Sequence, residues 1–227
     1  MKNSKVYNAT CVILIYLLTT QFLEIIGVKL LAKTGWYDIK GNLDEETPQI
    51  LVHCEVIGFI FLLGMILFVY KKEWKRDEKL SVYIPKGTRS WIVKGIILVF
   101  LAQIIGSLLD KSLFRTPLVS ENTSNIIGLV EVSPIAILSI VILAPLVEEF
   151  VFRYAVLNIL TKKLDTIGSI IISALIYSIS HFDFPFVFGY FLIGAVLAFV
   201  YVKSNRLLVS FMVHAGMNLF VVMIQMI

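Results

Sequence analysis

The chain is short of charge, histidine and cysteine. Only 16% of its 227 residues are Asp, Glu, Lys or Arg, where a soluble globular domain carries about 25%. That shortage excludes a disordered chain, which needs charge to stay solvated. Two cysteines, Cys11 and Cys54, both inside apolar runs, exclude a disulfide scaffold and read as small buried hydrophobes. There are three histidines, and the soluble-metalloprotease pattern His-Glu-x-x-His does not occur. A net charge of +4 with no basic, aromatic stripe outside the apolar runs excludes a nucleic-acid partner.

Apolar residues are what the chain has in excess. They make up 58% of it, with a mean hydropathy of +0.88, and they are gathered in long runs that call for a lipid bilayer. Seven segments have the length of a span: 7–28, 50–70, 91–109, 134–160, 167–180, 186–202 and 207–227. The reading is an all-α, polytopic membrane helix bundle of about seven transmembrane helices, with six to eight compatible with the pattern. Residues 1–227 form one integral membrane domain, with accessory spans over 1–110 and a core over 130–227. The basic start, Met-Lys-Asn-Ser-Lys, is followed by no small-x-small cleavage site, so the first run reads as a retained helix.

Lysine and arginine orient the bundle. With the N-terminus inside, thirteen lie in inner segments and five in outer loops, which the positive-inside rule favours. Seven of the thirteen fall between Lys71 and Arg89, a topological anchor. This places the chain in a cell membrane as a multi-pass protein. A homo-oligomer or a partner membrane protein is compatible with the same features.

Ionisable side chains are costly in a bilayer, so those in the spans mark a site. In the segment Ala144-Pro-Leu-Val-Glu148-Glu149-Phe-Val-Phe-Arg153, Glu149 and Arg153 stand four apart and pair along one face. Glu148 points about 100° away and is left to face a cavity. Pro145 removes a backbone donor and opens the helix beside the acids. Tyr177 and His181 share a face of the next segment, as do His214 and Asn218 in the last, where Ala215 and Gly216 permit close packing. An acid, two histidines and a carboxamide converging on one cavity suit activation of water at a peptide carbonyl. Glu148 takes the proton, an imidazole or a metal holds the water, and His214 with Asn218 donates to the oxyanion. At 1.5 Å per residue, His214 and Glu148 lie roughly 10–12 Å from the inner surface and His181 nearer 20 Å, a mismatch the fold must remove.

Elsewhere, Glu24, His53, Glu55 and Lys94 could form a second polar path. Glu24 and Lys94 read instead as snorkelling or pairing between helices. His53 and Glu55, two apart, do not share a face and make no joint metal site.

The three motifs, in this order, resemble the CPBP family of intramembrane proteases, which includes the type II CAAX prenyl endopeptidase. The family pattern E-E-x-x-x-R, F-x-x-x-H, H-x-x-x-N reads here Glu148-Glu149-x-x-x-Arg153, Tyr177-x-x-x-His181, His214-x-x-x-Asn218, with Tyr177 in place of Phe. The resemblance implies peptide-bond hydrolysis with Glu148 as general base, His181 beside it, and His214 and Asn218 at the oxyanion. It also implies support from Glu149 and Arg153, with Arg153 within reach of substrate. Its partners would be the lipid bilayer and a peptide or membrane-protein substrate, in peptide maturation, bacteriocin self-immunity or regulation. No cofactor is required by these residues, although Glu148, His181 and His214 would be the ligands of a divalent ion such as Zn2+. A non-enzymatic immunity or regulatory protein would use the same bundle without needing the acid.

Overall fold

In a computed structural model the described residues are 2–22, 26–27, 29–30, 33–34, 43–74, 76–117 and 120–226. Glu24 lies outside them. Among the described residues the regular structure is helical throughout, with no strand, as an all-α membrane bundle requires. The helices are α1 (Lys2–Phe22), α2 (Leu43–Val69), α3 (Lys86–Phe114), α4 (Glu121–Val132), α6 (Thr166–Ile179), α7 (Val187–Ser204) and α8 (Leu207–Gln225). Between α4 and α6 runs α5, a continuous helical rod of four pieces. Leu138–Leu143 is π-helical, Ala144–Glu148 α-helical, Glu149–Leu157 π-helical and Asn158–Leu160 α-helical.

Four stretches are long and apolar enough to cross a membrane: Pro48–Val69, Lys86–Phe114, Phe184–Ser204 and Leu207–Gln225. Shorter apolar helices at Val6–Thr20, Thr123–Val132 and Thr166–Ile179 complete the bundle. The sequence pattern places no helix at α4, because its twelve residues mix Asn, Thr and Ser with apolar ones. The start signal is nonetheless there, since Ser120 caps the helix by accepting from the Thr123 amide at 3.0 Å.

One apolar core runs through the bundle, from Val12 and Tyr16 on α1 to Val213 and Met217 on α8. At its centre the Phe152 ring meets Tyr16 and Tyr177 edge-on, at 5.5 and 5.2 Å between centroids. Small residues bring α3 and α7 together, and a Cβ on Gly106 would lie 2.5 Å from the Gly189 Cα. Beside this crossing Asp110, fully buried on α3, accepts the amides of Phe188 and Gly189 at 2.9 and 2.8 Å. A carboxylate there satisfies the orphan donors at the start of α7, which has no cap of its own in sequence.

The basic segment between α2 and α3 is more than a charged anchor. Asp77 accepts from the Tyr154 hydroxyl at 2.9 Å, and Lys79 donates to the Asn158 carboxamide at 2.6 Å. Asn158 in turn donates to the Tyr201 hydroxyl at 3.0 Å. These bonds tie the segment to the ends of α5 and α7. Cys11 and Cys54 are free thiols, as their apolar settings predict. Gly216 is not a close-packing point, because a Cβ there would sit in ordinary contact with Ile96 at 3.7 Å.

Candidate active site

The chemistry of α5 begins with Pro145. In the π-helical stretch before it, the Ala144 amide donates five residues back to Ser139. The next carbonyl, Ile140, would look to residue 145, and proline has no N–H to give. Asn218 on α8 takes that carbonyl instead, its Nδ2 donating to Ile140 O at 2.9 Å. Pro145 thus leaves a backbone carbonyl free beside the acids, and the freed group is what holds the carboxamide in place. Wide π turns on either side of Glu148 are a feature found often at functional sites.

Glu148 and Glu149 go separate ways. Glu149 is fully buried, 3.4 Å from Arg153 Nε through Oε2 and 3.1 Å from His214 Nδ1 through Oε1. The first contact is the pairing its spacing predicts; the second is one that spacing cannot predict, because it crosses from α5 to α8. Arg153 is also fully buried, with its guanidinium 4.9 Å from the centre of the Tyr177 ring. It is absent from the wall of the cavity that Glu148 faces, and its contacts are with Glu149 and the Tyr177 ring. Glu148 instead lines that cavity, of about 280 Å³, together with Tyr177, His181, His214 and Asn218. Its Oε2 lies 3.9 Å from His214 Nε2, and no protein hydrogen bond reaches that oxygen.

The histidine tautomers follow from their partners. His214 Nδ1 donates to the Glu149 carboxylate, which leaves Nε2 toward Glu148 and toward the Tyr177 hydroxyl at 3.5 Å. His181 Nδ1 donates to the Tyr177 carbonyl at 2.8 Å, so in the neutral ring Nε2 is an acceptor. At fourteen residues, about 21 Å, α6 is no shorter than the count from the sequence assumed, yet His181 at its end lines the same cavity as Glu148 and His214. After α6 the chain turns tightly through Phe182, whose φ of 54° lies in the left-handed region that a bulky residue seldom enters. Ser178 holds the turn by donating to Val187 O at 2.8 Å. His181 is then clamped between Tyr177, edge-on at 4.6 Å, and Tyr190, stacked at 4.1 Å. Gly194 makes room for this arrangement, because a Cβ there would lie 2.8 Å from the Tyr177 ring.

All seven residues that the sequence singled out therefore sit in one contiguous network or on its cavity wall. Sequence reasoning missed Gln103, Thr123, Ser139 and Tyr190, which also line the cavity. Gln103, a carboxamide inside the apolar run of α3, was the one legible signal. Glu55 lines the wall as well, while His53 donates from Nδ1 to Gln49 O at 2.9 Å on the exposed side. Lys94 is exposed and lies over the Trp91 ring at 5.0 Å, the snorkelling expected of it. Among the described residues no three His, Cys, Asp or Glu side chains are grouped to hold a metal ion. Glu148, His181 and His214 share the cavity, and with Nδ1 of each ring bonded to a protein oxygen it is Nε2 that is left as the ligand atom.

Residues 131–220 match the family described as type II CAAX prenyl endopeptidase Rce1-like. Over nearly its whole length the chain is similar to two curated bacterial proteins. A putative membrane peptidase, YdiL of Bacillus subtilis, is 27% identical over 223 residues, covering 95% of this chain and 88% of that one. The membrane-embedded CAAX protease MroQ of Staphylococcus aureus is 28% identical over 232 residues, covering 98% and 91%. A UPF0177 protein of Lactococcus lactis, YxdF, is 24% identical over 69% of this chain and 89% of its own. No solved structure matches.

Proposed function

We propose, from the match of residues 131–220 to the Rce1-like CAAX prenyl endopeptidase family, an intramembrane endopeptidase that cleaves by Glu148-activated water. The protein is a peptidase of a multi-pass membrane bundle. The observation that carries the finer reading is the separation of the two acids. Glu149 is fully buried against Arg153 and His214, whereas Glu148 lines the cavity with 15% of its side chain exposed.

The steps use the protein's own side chains. A water between Glu148 Oε2 and His181 Nε2 gives its proton to the carboxylate as its oxygen bonds to the scissile carbonyl carbon. The carbonyl electron pair moves onto oxygen. That oxyanion accepts the second N–H of Asn218, whose first is held by Ile140, with the His214 ring beside it on the cavity wall. As the tetrahedral species collapses, the C–N bond breaks and Glu148 returns its proton to the leaving nitrogen. Glu149, Arg153 and Tyr177 hold these groups without touching the reacting atoms. Residues 130–227 are the catalytic core, and the accessory spans over 1–110 add Glu55, Phe59 and Gln103 to its wall.

The reading extends to a cell membrane, an inside N-terminus and a small secreted or membrane-bound peptide as substrate. It is tested by mapping peptide termini by mass spectrometry in membranes and secreted fractions from cells with wild-type protein or Glu148→Gln at equal abundance. One set of termini is expected to fall by roughly 10²–10⁴-fold, the usual worth of a general base. Unchanged termini with the biological phenotype intact would leave a bundle that acts by binding alone.

A further inference from the structure

A second cavity, of about 240 Å³, adjoins the catalytic one and shares five lining residues with it: Gln103, Thr123, Tyr190, Ile193 and Val221. Side by side along this shared wall, the two make up a trench. Its far part is walled by Ser107 and Asp110 near the end of α3, Ser120 before α4, and Gln225 at the end of α8. That end of the bundle is opposite the basic segment between α2 and α3, because α3 starts at Lys86 and α8 starts beside Arg206. In the other direction the bundle is packed around α5. From Glu149 to Leu157 every residue of α5 is buried, and the Phe150, Phe152 and Leu157 side chains fill the bundle on the way to its basic end.

The chemistry of the wall is specific. Gln103, Ser107, Thr123 and Gln225 are uncharged groups that both donate and accept, as a peptide backbone does. Asp110 has both oxygens committed to the amides of Phe188 and Gly189. Among the described residues no lysine or arginine lines either cavity. A free C-terminal carboxylate in the far part of the trench would therefore be desolvated with no lysine or arginine to meet it, which is costly.

We propose that this trench is the peptide-binding subsite of the catalytic cavity, entered from the outer membrane face, and that it takes an extended, uncharged internal segment rather than a chain's C-terminal carboxylate. The outward sense follows from the basic end lying inside, and the proposal rests on the endopeptidase reading above. Residues of the trench would then hold the chain on one side of the scissile bond while Glu148 works at its deep end.

The test is single-cysteine labelling. Ser107→Cys and Thr123→Cys are made separately in a chain carrying Cys11→Ser and Cys54→Ala, so that one misfolded variant does not decide the outcome. Intact cells are treated with a membrane-impermeant maleimide from outside. Both positions are expected to label, with Lys162→Cys at the basic end protected until the cells are opened. In each trench variant the Glu148-dependent termini should fall by roughly tenfold or more on labelling, compared with the same cells before treatment. Those termini should lie inside their parent chains. Labelling only after the cells are opened overturns the outer entry, and labelling that leaves cleavage unchanged overturns the subsite. Release of short C-terminal peptides overturns the internal-segment preference. If no termini depend on Glu148, the endopeptidase reading fails and the subsite with it, while the side of labelling still decides where the trench opens.

Discussion

Replacing Glu149 by glutamine keeps the shape of the side chain and an oxygen for His214 Nδ1, and removes only the charge. Arg153 is then a guanidinium with 0% exposure and no carboxylate at 3.4 Å. Breaking a buried pair in this way costs about 3–5 kcal/mol, because the surviving charge stays desolvated. Solvent screening cannot soften the loss, as both partners are fully buried. Removing both charges is a different matter: in Glu149→Gln/Arg153→Met the orphan is gone and a flexible apolar chain fills its place. The double variant should lie within about 1–2 kcal/mol of the wild type. The coupling between the two sites would then be at least about 2 kcal/mol, well beyond that of independent positions. Unfolding in mixed micelles, followed by tryptophan fluorescence, reads this directly, since Trp74 stacks on Phe150, the neighbour of Glu149, at 5.8 Å. Cleavage should not return in the double variant, because the His214 ring then meets a neutral amide where it had a carboxylate at 3.1 Å. Losses that simply add in the double variant would show that the two side chains do not act as one electrostatic unit.

Asp110→Asn turns one acceptor into a donor facing an amide N–H, and should cost about 1–3 kcal/mol in the same unfolding assay. Gly194→Ala pushes a methyl group into the Tyr177 ring at 2.8 Å; cleavage should drop by roughly tenfold or more while the protein still folds, as displacement of catalytic groups predicts. Asn218→Ala leaves the Ile140 carbonyl without its partner and the oxyanion without a donor, so it should lose about 10²–10³-fold in cleavage. Asn218→Asp, which has no N–H at all, should do no better, and activity retained in it would remove the carboxamide from the mechanism.

How far the site could be read in advance depended on whether its contacts lie along one helix. Glu149 with Arg153 and Tyr177 with His181 are four apart, so periodicity alone places them together, and Glu148 is released by the same arithmetic. The membrane bundle was equally plain, because apolar runs of such length and number need a bilayer to cover them. What periodicity cannot supply is contact between helices. The Glu149–His214 bond, the Asn218–Ile140 bond and the stacking of Tyr190 on His181 each join elements far apart in the chain. The π-helical turns also escaped, since they shift the phase of α5 without changing its composition. Asp110 falls just past the apolar run 91–109, and only the approach of α7 makes it a buried cap.

The hold on Asn218 comes from a main-chain oxygen, and this decides where the protein can drift. Any apolar residue at position 140 presents the same carbonyl, so the carboxamide should stay registered through Ile140→Val or Ile140→Leu. Position 145 has no such latitude. A residue with an N–H there would compete for the Ile140 oxygen and loosen the grip from a position that never touches the cavity's acid or imidazoles. The tolerance map of α5 should therefore run against the naive one, permissive at the residue that makes the bond and strict at the proline that makes none.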